Sequence, residues 1–330
     1  MTNKTFIVAE IGNNHEGNFQ AALKLIDAAK NANVDAVKFQ TFNVNYFLDP
    51  QHPKFDMYRT FQLSKSEFEK LSIYCKKKRI IFFSTPLDIG SAIFLNKIQK
   101  IFKIASGDIN FYPLISTVAS FKKKLIISTG ASELSEIKNT VKIIKNKWKN
   151  NFSEKNLSIL HCISEYPADL NKLNLNTIHL LKKTFPRQTI GFSDHTIGFD
   201  ASVYARSAGA KIIEKHFTLD NNFSKFRDHK LSLNPRNLSL FVKKIRDLDN
   251  IFGAHKKIVL NTEKKNLKFL RRKIYFISDV KKGKKIKVNN ILHIRSNKGV
   301  YSNFEKKILR KKTNSLIKKG FLKRKDLKNF

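Results

Sequence analysis

An alternation of strand-like and helix-like segments most constrains how this chain of 330 residues can fold. Short runs rich in β-branched and aromatic residues are separated by amphipathic stretches of helical length, such as 18–33, 65–78 and 133–147. The strand-like runs are 6–12, 36–42, 80–88, 101–108, 125–131, 157–164, 189–196 and 211–218. This order predicts parallel strands joined by crossover helices, and eight such units in about 250 residues are the size of a (β/α)₈ TIM barrel.

The segment after the eighth run carries the clearest helix signal. Asn234 is a good N-cap and Pro235 suits the first turn. One face of the predicted helix is apolar and contains Leu238, Phe241, Val242, Ile245, Leu248 and Phe252. We therefore expect this helix to close the barrel by covering the eighth strand.

The remaining chain predicts a linker and a second, smaller domain. Apolar periodicity lapses after Gly253. It resumes at residue 273 with strand-like KIYFI, a turn at KKGKK and strand-like NILHI. The expected organisation is a barrel over 1–253, a linker over 254–272 and a small domain over 273–330. A domain this short and rich in lysine buries little apolar area, so we expect it to rest on its own barrel or on another subunit.

Positive charge is the most unusual feature of the composition. The chain has 64 Lys and Arg against 26 Asp and Glu, a net charge of +38. Residues 254–330 hold 26 basic and 4 acidic side chains, which is +22 and leaves +16 for residues 1–253. A basic tail favours nucleic acid as a partner, but no zinc-knuckle, RRM or KH signature accompanies it. The alternative is compositional drift toward Lys, Asn, Ile and Phe.

The N-terminal segment and the cysteine content indicate the cellular compartment. The N-terminal segment lacks an apolar stretch followed by a cleavage site, and no apolar run approaches membrane-spanning length. Two cysteines, Cys75 and Cys162, cannot form a disulfide framework. We expect a cytoplasmic protein without a membrane partner.

Polar residues end each predicted strand, where the active sites of (β/α)₈ barrels lie. They are Glu10, Lys38, Gln40, Ser84, Thr85, Lys103, Ser106, Asp108, Ser128, Thr129, Ser164, Tyr166, Ser193, His195, Glu214 and His216. A lysine inside an apolar strand is costly unless an anion meets it. Lys38 and Lys103 therefore predict a bound phosphate or carboxylate, and the alternative is pairing with Glu10 or Glu214 at a sealed barrel bottom.

Two histidines end the seventh and eighth strands. His195 and His216 would face the same mouth, within reach of one metal ion. Two imidazoles without a nearby cysteine do not suit a closed zinc site. They favour a divalent ion with open positions that acts as a Lewis acid on a carbonyl, the alternative being two satisfied core histidines.

The strand-end motifs together resemble the sialic acid synthase family, which includes the N-acetylneuraminate, legionaminate and pseudaminate synthases. The motifs are AEIGNNHEG (9–17), VKFQTF (37–42), STPLD (84–88), KIASGD (103–108), STGAS (128–132), LHCISEYP (160–167), GFSDHT (191–196) and EKHFTLD (214–220). The resemblance extends over the whole chain. It identifies 273–330 with the family's C-terminal antifreeze-like (SAF) domain.

The resemblance implies an activity: phosphoenolpyruvate joins an open-chain N-acetylmannosamine-type sugar, with release of phosphate and a nine-carbon 2-keto acid. It implies a divalent metal at His195 and His216, with Mn²⁺ foremost and Mg²⁺ or Co²⁺ as alternatives. Phosphoenolpyruvate would be held by Lys38, Thr85, Lys103, Ser106, Ser128, Ser164 and Ser193. Glu10 is the candidate for proton transfer, and Tyr166 matches a family position near the sugar and metal.

The acceptor sugar and the quaternary structure are also implied by the resemblance. Asp108, Asp228 and Arg295 match sugar-binding positions, and Arg295 would reach a partner's active site in a domain-swapped homodimer. The chain has SKFR before Asp228, where the family commonly has Pro-Gly-Pro, and it has Asp108 where N-acetylneuraminate enzymes often have Glu. The shorter acid favours a 2,4-diacetamido trideoxy sugar, which would give legionaminate.

Two alternatives of other kinds stay open. One is a condensing synthase that acts on an unacylated sugar phosphate, as octulosonate synthases do. The other is a nucleic-acid-binding protein that uses the basic tail.

Overall fold

A computed structural model describes residues 4–149, 153–253 and 256–330. The chain forms two compact units, Met1–Ala254 and His255–Phe330.

The first unit is built on a parallel sheet. In its described residues the sheet has eight strands: β1 Phe6–Gly12, β2 Ala36–Thr41, β3 Ile81–Pro86, β4 Ile101–Ile104, β5 Lys124–Ser128, β6 Leu157–Cys162, β7 Thr189–Asp194 and β8 Ile212–His216. Hydrogen bonds join them in the order β3-β2-β1-β8-β7-β6-β5-β4, and β3 also lies in contact with β4. The sheet is therefore nearly closed and consistent with the predicted (β/α)₈ barrel.

Alternation along the strands divides the sheet into two faces. Side chains such as Ile7, Ala9 and Val37 join the large cluster that also contains the apolar faces of the helices. On the other face a separate apolar layer consists of Val8, Ala36, Phe83, Ile101, Ile126, Leu160 and Ile212. Two residues further along the same strands, this face becomes polar at positions such as Glu10 and Lys38. The apolar layer is thus the floor of a polar chamber.

Helices follow the strands along the chain. They are α1 Phe19–Asn31, α2 Val44–Phe47, α3 Phe55–Phe61, α4 Lys65–Lys78, α5 Ile89–Ile98, α6 Tyr112–Ser120, α7 Leu134–Trp148, α8 Asn176–Thr184, α9 Asp200–Ser207, α10 Arg227–Leu231 and α11 Pro235–Phe252. Local signals set their starts: the Asn18 side chain caps α1, and Ser64 with Glu67 forms a capping box on α4.

Helix α11 begins where the sequence predicts, since the Asn234 side chain accepts a hydrogen bond from the Asn237 N–H. It contacts α1 and α9. Leu238 and Phe241 are fully buried, as expected. Phe252 is 47% exposed, because it lies in the last turn, with the Arg206 guanidinium 4.8 Å from its ring centroid.

The second unit contains helix α12 Asn261–Leu270, strands β9 Arg272–Phe276, β10 Ile291–Arg295 and β11 Gly320–Phe321, and the short helix α13 Glu305–Ile308. The strands form an antiparallel sheet in the order β10-β9-β11. The unit has its own small core, made of Ile274, Phe276, Val280, Ile286, Ile291, Val300, Ile308, Ile317 and Leu322. Helix α12 lies in the predicted linker and has no buried residue among those described.

Across the described parts of both units, no helix combines the length and the apolar character needed to cross a membrane.

Candidate active site

The polar chamber places residues from neighbouring strands at one level. Strand register pairs Glu10 with Lys38 on one side and with His216 on the other. It also pairs Ser193 with Glu214. All five residues are buried. The predicted polar ends of β1, β2, β7 and β8 therefore come together above the apolar floor.

Two lysines and two glutamates form buried ion pairs in this chamber. Lys38 Nζ is 2.9 Å from Glu10 Oε1 and 3.7 Å from Glu214 Oε1, and it donates a hydrogen bond of 3.2 Å to Thr85 Oγ1. Lys103 Nζ donates to both oxygens of Glu214, at 2.9 and 3.1 Å. Both lysines thus have the carboxylate partners that the sequence offered as the alternative to an anion. The pairs lie above the apolar layer of the barrel interior, not beneath it.

The two carboxyl groups differ in charge. Burial raises the pKa of Glu10 to about 7, and the Lys38 ammonium offsets only part of that rise. Burial acts in the same direction on Glu214, but Lys103 and Lys38 outweigh it and hold its pKa at about 2. Ser193 also donates to Glu214 Oε1, at 2.9 Å. At neutral pH the chamber therefore holds one firmly ionised carboxylate and one carboxyl that readily exchanges a proton.

Serine hydroxyls gather beside the chamber at the end of β5. The Gly130 N–H donates to Ser106 Oγ at 2.9 Å. A Cβ on Gly130 would lie 2.3 Å from Ser164 Oγ, 3.0 Å from Ser106 Oγ and 3.2 Å from Cys162 Sγ. Ser128 Oγ is buried and has no hydrogen-bond partner among the described residues. This set offers hydroxyl donors to an anion, and glycine leaves room for them.

The two predicted metal ligands lie next to each other. The ring centroids of His195 and His216 are 5.4 Å apart. Tyr166 stacks on His195 at 4.1 Å and meets His216 edge-on at 6.1 Å. His195 Nδ1 donates to the carbonyl oxygen of Ile163 at 2.8 Å, which leaves Nε2 as an acceptor.

The donor chemistry of this pair fits a divalent ion. Burial lowers the pKa of His195 to about 4 and holds that of His216 well below its usual value, so both imidazoles are neutral, as metal ligation requires. His216 Nδ1 is buried without a hydrogen-bond partner in the described structure. Nowhere among the described residues do three His, Cys, Asp or Glu side chains form a metal-binding group. An ion held here would take its other ligands from water or substrate.

The acidic candidate Asp228 lies beside the histidines. Its Oδ2 is 3.8 Å from His216 Nδ1, and its Oδ1 is 3.3 Å from Arg227 Nε. The Arg227 guanidinium lies 4.4 Å from the centroid of the Tyr166 ring. Arg227, Tyr166, His195, His216 and Asp228 therefore form a closed ring of contacts.

Two predicted site residues are not in these contacts. Asp108 ends a 3₁₀ turn after β4, and burial raises the pKa of its carboxyl to about 6. Arg295 is the last residue of β10 in the second unit, and its side chain is exposed.

Three residues of this site were given no binding or catalytic role from the sequence, although Glu214 was offered as a lysine partner and Gln40 was named as a polar strand residue. Glu214 is the shared partner of both lysines, and it lies two residues before His216 on one strand face. Gln40 links the loop after β1 to the chamber, because its Nε2 is 3.4 Å from Glu10 Oε1 and its Oε1 accepts from Asn13 at 2.8 Å. Arg227 had no signal beyond its departure from the family pattern.

Comparison with known proteins identifies a family and supports the fold. The NeuB family model matches residues 25–257. The N,N'-diacetyllegionaminic acid synthase of Campylobacter jejuni is 36% identical over 90% of this chain and 92% of that protein. An uncharacterized protein of Methanocaldococcus jannaschii is 38% identical over 93% of this chain and 90% of that protein.

A solved structure agrees with the sequence relatives. The N-acetylneuraminic acid synthetase of Leptospira borgpetersenii, crystallised with citrate, superimposes with a TM-score of 0.76 at 33% identity, covering 81% of this chain and 92% of that one. The eight-stranded parallel sheet is consistent with a (β/α)₈ barrel. The chain belongs to the NeuB family, as the resemblance predicts.

Proposed function

We propose that this protein is a nonulosonic acid synthase that joins phosphoenolpyruvate to N-acetylmannosamine, with water, to give N-acetylneuraminate and phosphate. The observation that carries the proposal is the position of the lysine pairs, Lys38–Glu10 and Lys103–Glu214, beside His195 and His216 at the polar end of a NeuB-family barrel.

The lysine chamber suits a multiply charged anion. Lys38 and Lys103 would hold the phosphate and carboxylate of phosphoenolpyruvate, with hydroxyl donors from Thr85, Ser106, Ser128, Ser164 and Ser193. An incoming anion competes with Glu10 for Lys38. Since the pKa of Glu10 is about 7, this carboxyl can take up a proton and release the lysine to the ligand.

The reaction requires a proton donor and acceptor within the chamber. C3 of phosphoenolpyruvate forms a bond to the aldehyde carbon with the electrons of its C2–C3 double bond, and the aldehyde oxygen takes a proton. Water then adds at C2 and gives up a proton, and the C2–OH becomes the ketone as the C–O bond to phosphate breaks and phosphate leaves with the hydroxyl proton. Glu10 is the group whose pKa suits both transfers, and the two lysines offset negative charge on the phosphate side.

His195 and His216 would hold a divalent ion, Mn²⁺ foremost with Mg²⁺ or Co²⁺ as alternatives, which when bound polarises the sugar aldehyde. Tyr166 keeps the His195 ring in place by stacking on it. Burial raises the pKa of the Tyr166 phenol, so its O–H remains available as a donor.

The acceptor sugar would meet the acidic side of the site. Asp228 and Asp108 are the candidates for its hydroxyl and amide groups. We assign 273–330 to a SAF domain, joined to the barrel of 1–253 by the linker 254–272. From a domain-swapped partner, Arg295 would reach the sugar.

A second acceptor has specific support. The 2,4-diacetamido-2,4,6-trideoxymannose that leads to N,N'-diacetyllegionaminate is favoured by the shorter acid at Asp108 and by the similarity to the Campylobacter jejuni protein. The two acceptors differ at C4 and C6 and use the same chemistry.

The test measures phosphate release by the full chain with phosphoenolpyruvate, Mn²⁺ and an acceptor, each omitted in turn. We expect release only when all three are present, abolition by a chelator and a product whose mass equals that of a nonulosonic acid. Lys103→Met should remove activity, whereas the matched variant of exposed Lys100, Lys100→Met, should retain it.

Other outcomes would assign a different function. Turnover with arabinose 5-phosphate alone would identify an octulosonate-type synthase. Steeply salt-dependent oligonucleotide binding without any turnover would favour the nucleic-acid alternative. Activity that survives complete chelation would contradict the metal role.

A further inference from the structure

The loop after β1 carries a glutamate in a strained backbone conformation. Glu16 has φ of +46°, a region that non-glycine residues rarely adopt. The next residue, Gly17, packs so tightly that a Cβ there would lie 2.1 Å from the Thr60 carbonyl oxygen. The loop is therefore fixed against α3, and the direction of the Glu16 side chain is set by its surroundings. Such strain often occurs at functional sites.

The Glu16 carboxylate binds two points of a segment more than 200 residues away in sequence. Glu16 Oε1 accepts a hydrogen bond from the Ser224 hydroxyl and lies 3.2 Å from His229 Nε2, which donates to it. His229 is fully buried, and its Nδ1 is 2.7 Å from Thr218 Oγ1. Ser224 Oγ in turn accepts from the Phe226 N–H at 3.0 Å.

This anchored segment, residues 218–231, includes the part of the chain where the family commonly has Pro-Gly-Pro. In this chain Ser224 begins the SKFR sequence that replaces it. Its hydroxyl links the loop backbone to Glu16, so a side-chain contact holds the loop where the chain has no proline to restrict it.

The anchored segment includes helix α10, which carries two residues of the site. Helix α10 has five residues, too few to hold its own orientation. It presents Asp228, whose carboxylate faces His216, and Arg227, which lies over Tyr166. A shift of α10 would move both groups relative to the histidines. It would not directly move Lys38 or Lys103, which lie on β2 and β4.

We propose that Glu16 is a positioning residue for the sugar acceptor: through Ser224 and His229 it fixes α10 so that Asp228 and Arg227 face the acceptor. This inference rests on the proposed function and adds a residue that touches neither substrate. It predicts a separation of effects, with sugar affinity depending on Glu16 and phosphoenolpyruvate affinity independent of it.

The experiment compares Glu16→Ala, Glu16→Gln and the control Asn222→Ala, an exposed residue of the same segment. Alanine and glutamine meet the same backbone strain as glutamate, so the comparison isolates the side-chain acceptor. We expect Glu16→Ala to raise KM for the sugar by about tenfold, the size expected for loss of hydrogen bonds to a charged group. KM for phosphoenolpyruvate should not change, and Glu16→Gln should restore most of the sugar affinity.

Hydrogen–deuterium exchange of residues 218–231 gives a readout that does not require turnover. Glu16→Ala should speed exchange there, and Asn222→Ala should not. Equal rises in both KM values, or unchanged sugar KM with unchanged exchange, would overturn the inference. Absence of turnover in the wild type with every acceptor would instead refute the proposed function, and the exchange comparison would still decide whether Glu16 anchors α10.

Discussion

Removal of either chamber lysine should lower stability by a different amount, because the carboxyl groups of Glu214 and Glu10 differ in charge at neutral pH. Lys103→Met keeps an unbranched side chain of similar length but removes the cation that most lowers the pKa of Glu214, in a site where both partners are almost fully buried. Glu214 must then stay ionised without that partner or take up a proton, and either outcome costs stability. Among the described residues, Glu214 then keeps the Ser193 hydroxyl at 2.9 Å and Lys38 at 3.7 Å. Lys38→Met leaves Glu10, whose pKa of about 7 makes it largely neutral at pH 6.

The magnitudes follow from these partners. Breaking a buried ion pair from one side costs roughly 3–5 kcal/mol, so we expect Lys103→Met to lower the free energy of unfolding of the barrel by about 3 kcal/mol. At pH 6, Lys38→Met loses a hydrogen bond without stranding a charge, for roughly 1–2 kcal/mol. At pH 8 Glu10 is ionised beside Lys38 in the wild type, whereas Lys38→Met removes the cation that lowers the pKa of this carboxyl, so the penalty of Lys38→Met should grow.

The only tryptophan of the chain provides the assay. Trp148 is buried on α7 in the first unit, so its fluorescence during urea denaturation reports unfolding of the barrel. Lys100→Met serves as the matched control, and Lys103→Met/Glu214→Gln removes the stranded charge and should recover much of the loss. Equal stabilities of Lys103→Met and Lys100→Met, or a double variant no more stable than Lys103→Met, would show that the Lys103–Glu214 pair does not stabilise the barrel.

Three further predictions concern the chamber and its rim. Because ionised Glu10 competes for Lys38, phosphoenolpyruvate affinity measured by calorimetry should weaken as pH rises through about 7. Glu10→Gln should flatten this pH dependence, and the same pH dependence in Glu10→Gln would contradict the competition. In the folded protein the pKa of Asp108 is about 6, above its ordinary value of 3.8. The protonated Asp108 side chain therefore stabilises the fold relative to its ionised form, and this stability is lost as pH rises through 6. Asp108→Asn should therefore raise the free energy of unfolding at pH 8 by up to about 3 kcal/mol in the tryptophan assay. An unchanged free energy of unfolding at pH 8 would contradict the burial of the Asp108 carboxyl. Gly130→Ala should force the Ser164 and Ser106 hydroxyls to move. Phosphoenolpyruvate binding measured by calorimetry should then weaken by about tenfold, while the barrel stays folded. Wild-type affinity in this variant would show that these hydroxyls bind no ligand.

Much of the barrel could be predicted because its strands carry a local signal. The run at 6–12 coincides with the observed strand, and the run at 157–164 ends two residues beyond it. The largest difference is at the fourth run, where the strand ends at Ile104 because Ser106–Asp108 turns into a 3₁₀ helix. Polar residues at strand ends belong to loops as readily as to strands, so boundaries there are poorly determined.

The partners within the site could not be predicted in the same way. Lys103 and Glu214 are 111 positions apart, and only barrel closure brings them together. The stacking of Arg227 on Tyr166 depends on the path of the loop before α10. Residue type and strand position indicated which side chains face the chamber, whereas their pairing required the three-dimensional structure.

Calorimetric titration of phosphoenolpyruvate into the full chain shows whether the paired lysines bind this anion. We expect binding to the wild-type protein, and at least about tenfold weaker binding to Lys38→Met and to Lys103→Met, with Lys100→Met unchanged. Wild-type affinity in both chamber variants would contradict it, since Lys38 and Lys103 would then serve only their carboxylate partners.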